Sequence, residues 1–143
     1  MTPDALATTI EACKRLIERR FPGGAAGAAA VLLADGSIVT GTSPDFANSS
    51  TTVCHEVEPY CAAYRLDQAI VASVCLYRTE EGRFIVLSPC GICRERLADH
   101  GPRVQVAIAE PGDPTVLRWI SLREALPHYW LTALPEEAGD WVA

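Results

Sequence analysis

Phe84-Ile85-Val86-Leu87-Ser88-Pro89-Cys90-Gly91-Ile92-Cys93 is a short apolar run that breaks at Ser88-Pro89 and passes into a helical pattern over 90–100, closed by Gly101-Pro102. A run of this length bounded by turn residues reads as a buried strand. Pro suits the first helical position, where its missing N–H costs nothing. The stretch therefore predicts a strand that hands the chain directly to a helix, and residues 104–109 supply the next buried strand. Upstream, 70–77 is a second apolar run, divided from 84–87 by the turn-rich 78–82, and 54–67 reads as a helix that Pro59 should kink or delay. Nearer the N-terminus, Thr2-Pro3 starts a helix with Leu6, Ile10, Cys13 and Ile17 at helical spacing, which stops at 21–24. Strand 28–34, the turn Asp35-Gly36 and a hairpin partner at 37–41 follow. Ser121 and Glu124 form a capping box for a short helix ending at Pro127. Strands alternating with helices mean an α/β layered domain. With 143 residues the chain builds one core and is too short for two, so 1–143 is a single domain.

The same stretch carries chemistry. Cys90 and Cys93 are three residues apart, so one helical turn puts both sulfurs on the same side, and a helix N-terminus favours the thiolate form. Cys54 can supply a third sulfur, with Glu56 two residues on. In a regular helix positions 54 and 56 point apart, so they converge only where a helix begins. Three protein ligands, Cys54, Cys90 and Cys93, would hold one Zn²⁺ per chain and leave a fourth position for water, whose proton then departs far more easily than in bulk. Glu56 is the candidate catalytic proton carrier beside it. Two other readings use the same residues: a C-x-x-C redox pair, and a closed structural zinc site in a noncatalytic interaction protein. Against the first, no Trp precedes Cys90; against the second, Cys13, Cys61 and Cys75 fall in apolar periodic runs and read as core thiols.

Composition bounds the partners. Twelve basic against 18 acidic residues give a formal net charge of -6, which opposes binding to a nucleic acid polymer. Arg94, Arg96 and Arg103 read as a solvated helix face. The apolar run 25–34 is far below the length that spans a bilayer, and 1–10 lacks the basic start and apolar stretch of a signal peptide, so the expectation is a cytoplasmic protein with no membrane partner and reduced cysteines.

In order and spacing, Thr40-Gly41, Cys54-His55-Glu56, Ser88-Pro89-Cys90-Gly91-Ile92-Cys93-Arg94 and Leu97 resemble the cytidine deaminase and blasticidin S deaminase superfamily, over most of the chain. The resemblance implies a three-layer α/β/α sandwich around a mixed five-stranded sheet, assembled as a homotetramer or possibly a dimer with sites near subunit contacts. It implies zinc-dependent hydrolytic deamination of a free cytosine-type nucleoside, cytidine or deoxycytidine, or of a blasticidin S-like antibiotic or another aminated heterocycle. By the same resemblance Glu56 is the proton shuttle, the Ser88 backbone accepts from the departing amine, and the His55 backbone N–H holds the ring carbonyl. Ser43 and Asp45 stand where the family places Asn and Glu on the ribose. Both are shorter, so these substrate-binding candidates would hold the sugar side differently. His55 replaces the usual Ala, Glu95 a Gln, and Val57 an Arg that donates to the sulfurs, leaving Arg94 or another donor to serve. The aromatics His128, Tyr129, Trp130 and Trp141 could stack over a base or simply pack.

Overall fold

The computed structural model describes residues 1–143. Helix α1 (Pro3–Arg20) opens with Thr2 as N-cap, its hydroxyl accepting from the Ala5 N–H, and Pro3 in the first turn. Strand β1 (Ala26–Leu33) is buried along its whole length and pairs antiparallel with β2 (Ile38–Gly41) through the Asp35-Gly36 turn. Helix α2 (Val57–Arg65) leads to β3 (Ile70–Arg78) and the short β4 (Phe84–Val86); α3 (Gly91–Ala98) leads to β5 (Gln105–Glu110). A long strand β6 (Asp113–Ser121) and α4 (Leu122–Ala125) follow, and after a 3₁₀ turn at Trp130–Ala133 the chain closes with α5 (Pro135–Ala138) and a second at Gly139–Trp141.

The strands form one mixed sheet in the order β2-β1-β3-β5-β6, a five-strand path, with β4 as a sixth strand paired to β3. β3 is long enough to serve two partners on one edge. Ala72 and Ser73 pair parallel with β5, and Leu76 to Arg78 pair antiparallel with β4. Side chains alternate across the sheet. Ala28, Ala30, Val74 and Leu76 meet Cys13 and Ile17 of α1, whereas Val31, Leu33 and Val106 meet Ala63 of α2, Leu97 of α3 and Leu122 of α4. The result is the three-layer α/β/α sandwich that the resemblance implied, and the α/β layering that the alternation of strands and helices predicted.

Several local expectations are refined or corrected. The regular part of α2 begins only at Val57, and Pro59 occupies its third position, where the N–H has no intrahelical acceptor to lose. Pro89 precedes the cap of α3 and Cys90 itself is the N-cap, with extended backbone (φ -67°, ψ 171°). Cys61 is exposed, unlike Cys13 and Cys75. Arg94 is half-buried and donates to the Ala125 carbonyl at 2.7 Å, tying α3 to α4. Strand β6 is absent from the sequence reading. Pro111-Gly112-Asp113-Pro114 imitates a loop, and an edge strand tolerates a Pro that a central strand does not. The capping box of α4 at Ser121 and Glu124 is formed as expected.

Candidate active site

Two helix starts converge on one face of the sheet. β4 ends at Val86; Leu87 N–H still donates to the Cys75 carbonyl of β3 at 3.0 Å, and Ser88-Pro89 then turns the chain into α3. The Ser88 hydroxyl accepts from the Ala109 N–H at 3.3 Å, which fastens this turn to β5. On the other side, Cys54-His55-Glu56 is a turn closed by Val57 N–H to the Cys54 carbonyl at 3.1 Å, and Glu56 is the N-cap of α2. Residues 54 and 56 thus lie outside the regular helix, the only arrangement in which both can face one point.

They do so. The sulfurs of Cys54, Cys90 and Cys93 all lie within 4.8 Å of one another, with Cys54 and Cys90 at 3.6 Å, and none of the six cysteines is in a disulfide. Tetrahedral zinc with Zn–S near 2.3 Å requires sulfurs about 3.8 Å apart, so this donor set fits the ion in both chemistry and spacing. The cluster stops at three protein donors. His55, next to Cys54 in the chain, has its Nδ1 3.2 Å from the Ser43 N–H and hydroxyl and 3.4 Å from the Thr42 hydroxyl. Its other edge lies against Gly27, where an added Cβ would sit 2.5 Å from Nε2.

The thiols are not equivalent. Burial pushes Cys54 up, and burial with the nearby Glu56 carboxylate pushes Cys93 up further. Burial also opposes ionisation of Cys90, but the backbone N–H groups of Cys93 and Ile92 and its neighbouring thiols outweigh that and hold Cys90 below the ordinary thiol range. The first-turn amides of α3 thus favour the Cys90 thiolate, although they form no side-chain cap bond to it. Arg94 is engaged with Ala125.

Glu56 is only 5% exposed and lines a pocket of about 250 Å³ together with Cys54, His55, Cys75, Leu87, Ser88 and Cys90. Ser43 is half-buried and engaged with His55, and Asp45 is exposed on the loop that follows β2. Tyr129 and Trp141 pack into the core with ring centroids 4.6 Å apart, while the Trp130 indole donates to Glu95 at 2.8 Å on the surface. The sequence reading missed Cys75 as a pocket residue. Strand parity was the available signal, since Ser73 and Cys75 face away from Val74 and Leu76.

No family model matches the chain. Among known proteins, the cytidine deaminase of Mycobacterium tuberculosis is 37% identical over 74 residues, 51% of this chain; the matched stretch spans about half, 53%, of that relative. The crystal structure of the cytidine deaminase from Bacillus anthracis is 36% identical and superposes with a TM-score of 0.85 over 96% of this chain and 98% of that one. The chain belongs to the cytidine deaminase family. The cytidine deaminase from Burkholderia pseudomallei, 25% identical, covers 90% of this chain at a TM-score of 0.63. This family member therefore shares its fold across almost its whole length with known cytidine deaminases, including the α/β layering that brings the two cysteine-bearing turns together.

Proposed function

We propose that the chain is a hydrolytic deaminase that removes the exocyclic amine from the cytosine ring of a small free nucleoside, giving the uracil analogue and ammonia. The observation that carries this reading is a three-sulfur cluster with a buried carboxylate, Glu56, in the same pocket. Cys54, Cys90 and Cys93 would hold one Zn²⁺, which when bound supplies a Lewis acid that eases loss of a proton from water. Glu56 takes the proton from the attacking water, delivers it to the ring nitrogen as the C4–O bond forms, and assists the departure of ammonia as the C4–N bond breaks. The Ser88 carbonyl receives the departing amine and the His55 backbone N–H holds the ring carbonyl.

Ser43 and Asp45 are the candidates for the sugar side. The Ser43 N–H and hydroxyl already face the His55 ring, so fewer donors are free for ribose hydroxyls. This favours including bulkier cytosine nucleosides of the blasticidin S type beside cytidine and deoxycytidine. Exposed apolar side chains, Phe46, Val53, Leu87 and Ile92, support a homo-oligomer, a tetramer or a dimer. No helix is long and apolar enough to cross a membrane, and we place the protein in the cytoplasm, where its six thiols would stay reduced.

A panel of cytosine nucleosides and other aminated heterocycles, followed by ultraviolet absorbance with the zinc-loaded protein, tests the assignment. Turnover of a cytosine nucleoside is expected. If none of the panel is deaminated, the reading is wrong and a zinc-stabilised interaction protein takes its place.

A further inference from the structure

We infer that the His55 side chain determines specificity: its ring engages Ser43, so the site reads the sugar hydroxyls of its nucleoside only weakly. The inference rests on the deaminase reading and on Ser43 as its sugar-side residue. His55 lines the pocket beside Cys54 and Glu56, and its Nδ1 stands 3.2 Å from both the Ser43 N–H and the Ser43 hydroxyl. An N–H donates only to a ring nitrogen whose lone pair is free, so Nδ1 is the acceptor and the ring proton sits on Nε2. The hydroxyl engages the same nitrogen only by donating as well. Both Ser43 donors are thus turned onto one ring nitrogen, and the hydroxyl keeps lone pairs alone for anything else. The Thr42 hydroxyl is committed too, donating to the Gly27 carbonyl at 2.7 Å.

The sheet makes room for this arrangement. The β1–β2 ladder closes at Ala29 with Gly41, and Thr42 then reaches Gly27 through its side chain. A Cβ added at Gly41 would stand 2.6 Å from Glu58 Cβ and from Pro59 Cδ, and one added at Gly27 would stand 2.5 Å from His55 Nε2. Two strand positions without side chains therefore let the start of α2 press onto the strand ends, which brings His55 within reach of Ser43. Beyond Ser43 the loop is exposed over residues 44–53, so Thr42 and the His55 ring hold its first residues at the pocket. A substrate hydroxyl has to displace the ring before Ser43 can donate to it. Strong selection for a hydroxyl arises where polar groups of the site are left unpaired without it, and here they are already paired. Cytosine nucleosides that lack the 2′ and 3′ hydroxyls, or carry other groups there, therefore belong to the substrate range beside cytidine.

Amide exchange and paired-substrate kinetics on the zinc-loaded protein test this together. His55→Asn keeps an acceptor oxygen where Nδ1 stands, whereas His55→Ala removes the acceptor. The Ser43 amide, followed by NMR, should exchange slowly in wild type and His55→Asn and at least about tenfold faster in His55→Ala. The ratio of kcat/KM for cytidine over 2′,3′-dideoxycytidine should lie within about threefold of one in wild type and His55→Asn, and rise about fivefold in His55→Ala as Ser43 is released. A merely structural His55 lowers both substrates in parallel and leaves that ratio alone. An unchanged ratio or unchanged Ser43 exchange in His55→Ala overturns the inference, as does a wild type that prefers cytidine by more than about tenfold. If His55→Ala does not fold, His55→Gln, whose amide falls at the Nε2 position, takes its place against His55→Asn. A wild type that deaminates no cytosine nucleoside sinks the deaminase reading, and the Ser43 exchange then still decides whether the ring holds the loop.

Discussion

The starts of α2 and α3 meet at one cluster but are built in different ways. α3 presents its two candidate ligands as N-cap and third residue of a regular helix, and its first-turn amides favour the Cys90 thiolate. α2 contributes Cys54 and Glu56 from an irregular turn, held in place from outside: by Tyr60 on Ser73 and by the His55 ring wedged between Gly27 and Ser43. A ligand pair can be specified by local sequence alone, whereas a ligand with a separate proton carrier two residues away requires support from the sheet.

Breaking the ligand set should produce the largest effect on either side. Cys93→Ala and Cys54→Ala should each take the metal content from about one ion per chain to near zero by atomic absorption. Cys93 is also fully buried in α3, so its loss should lower the melting temperature more than that of Cys54. Comparable melting temperatures would mean that the two starts are not built differently. Next in size is the wedge. Gly27→Ala pushes a methyl into the His55 ring and should cost about 2 kcal/mol in denaturant unfolding. His55→Ala in the same chain should recover most of that cost, and simple additivity of the two changes would show that His55 does not bear on Gly27. Tyr60→Phe removes the 3.0 Å hydroxyl contact with Ser73 and should cost about 1 kcal/mol, with α3 and the sulfur cluster undisturbed in metal content.

The smallest effect lies at the far end of α3. Burial lowers the His100 pKa, and its Nδ1 accepts from the Ile70 N–H at 3.0 Å. The folded chain therefore binds fewer protons there than the unfolded chain, so this part of the stability is complete above the ordinary His value of 6.5 and is lost as pH falls below it toward the folded pKa. His100→Asn keeps an acceptor for Ile70 and should flatten the acid-side fall of the melting temperature. An unchanged slope would place the effect elsewhere.

The same contrast governs what the sequence disclosed. The α3 start was legible because strand, turn, Cys-x-x-Cys and helix follow one another without interruption, and the α/β layering followed from that alternation. The α2 start was legible in its residue types, Cys54 and Glu56, but its surroundings were not. Cys75 reads as a core thiol until strand parity puts it beside Ser73, and nothing in a lone Gly27 announces a His55 ring 28 residues later in the chain. Strand β6 was lost because its opening Pro-rich turn suits a solvent-facing edge and carries no buried alternation. Arg94 was misread as solvated because its partner is a carbonyl from α4, a contact that only the packed molecule creates.

Everything proposed for this chain depends on an open centre of three sulfurs with Glu56 beside its remaining side. X-ray absorption at the zinc edge of the zinc-loaded wild-type protein tests it most directly. Three sulfur scatterers at about 2.3 Å and one lighter oxygen donor without the outer-shell pattern of an imidazole are expected. A fourth sulfur, or the signature of a bound His55 ring, would show a closed structural site and contradict the account.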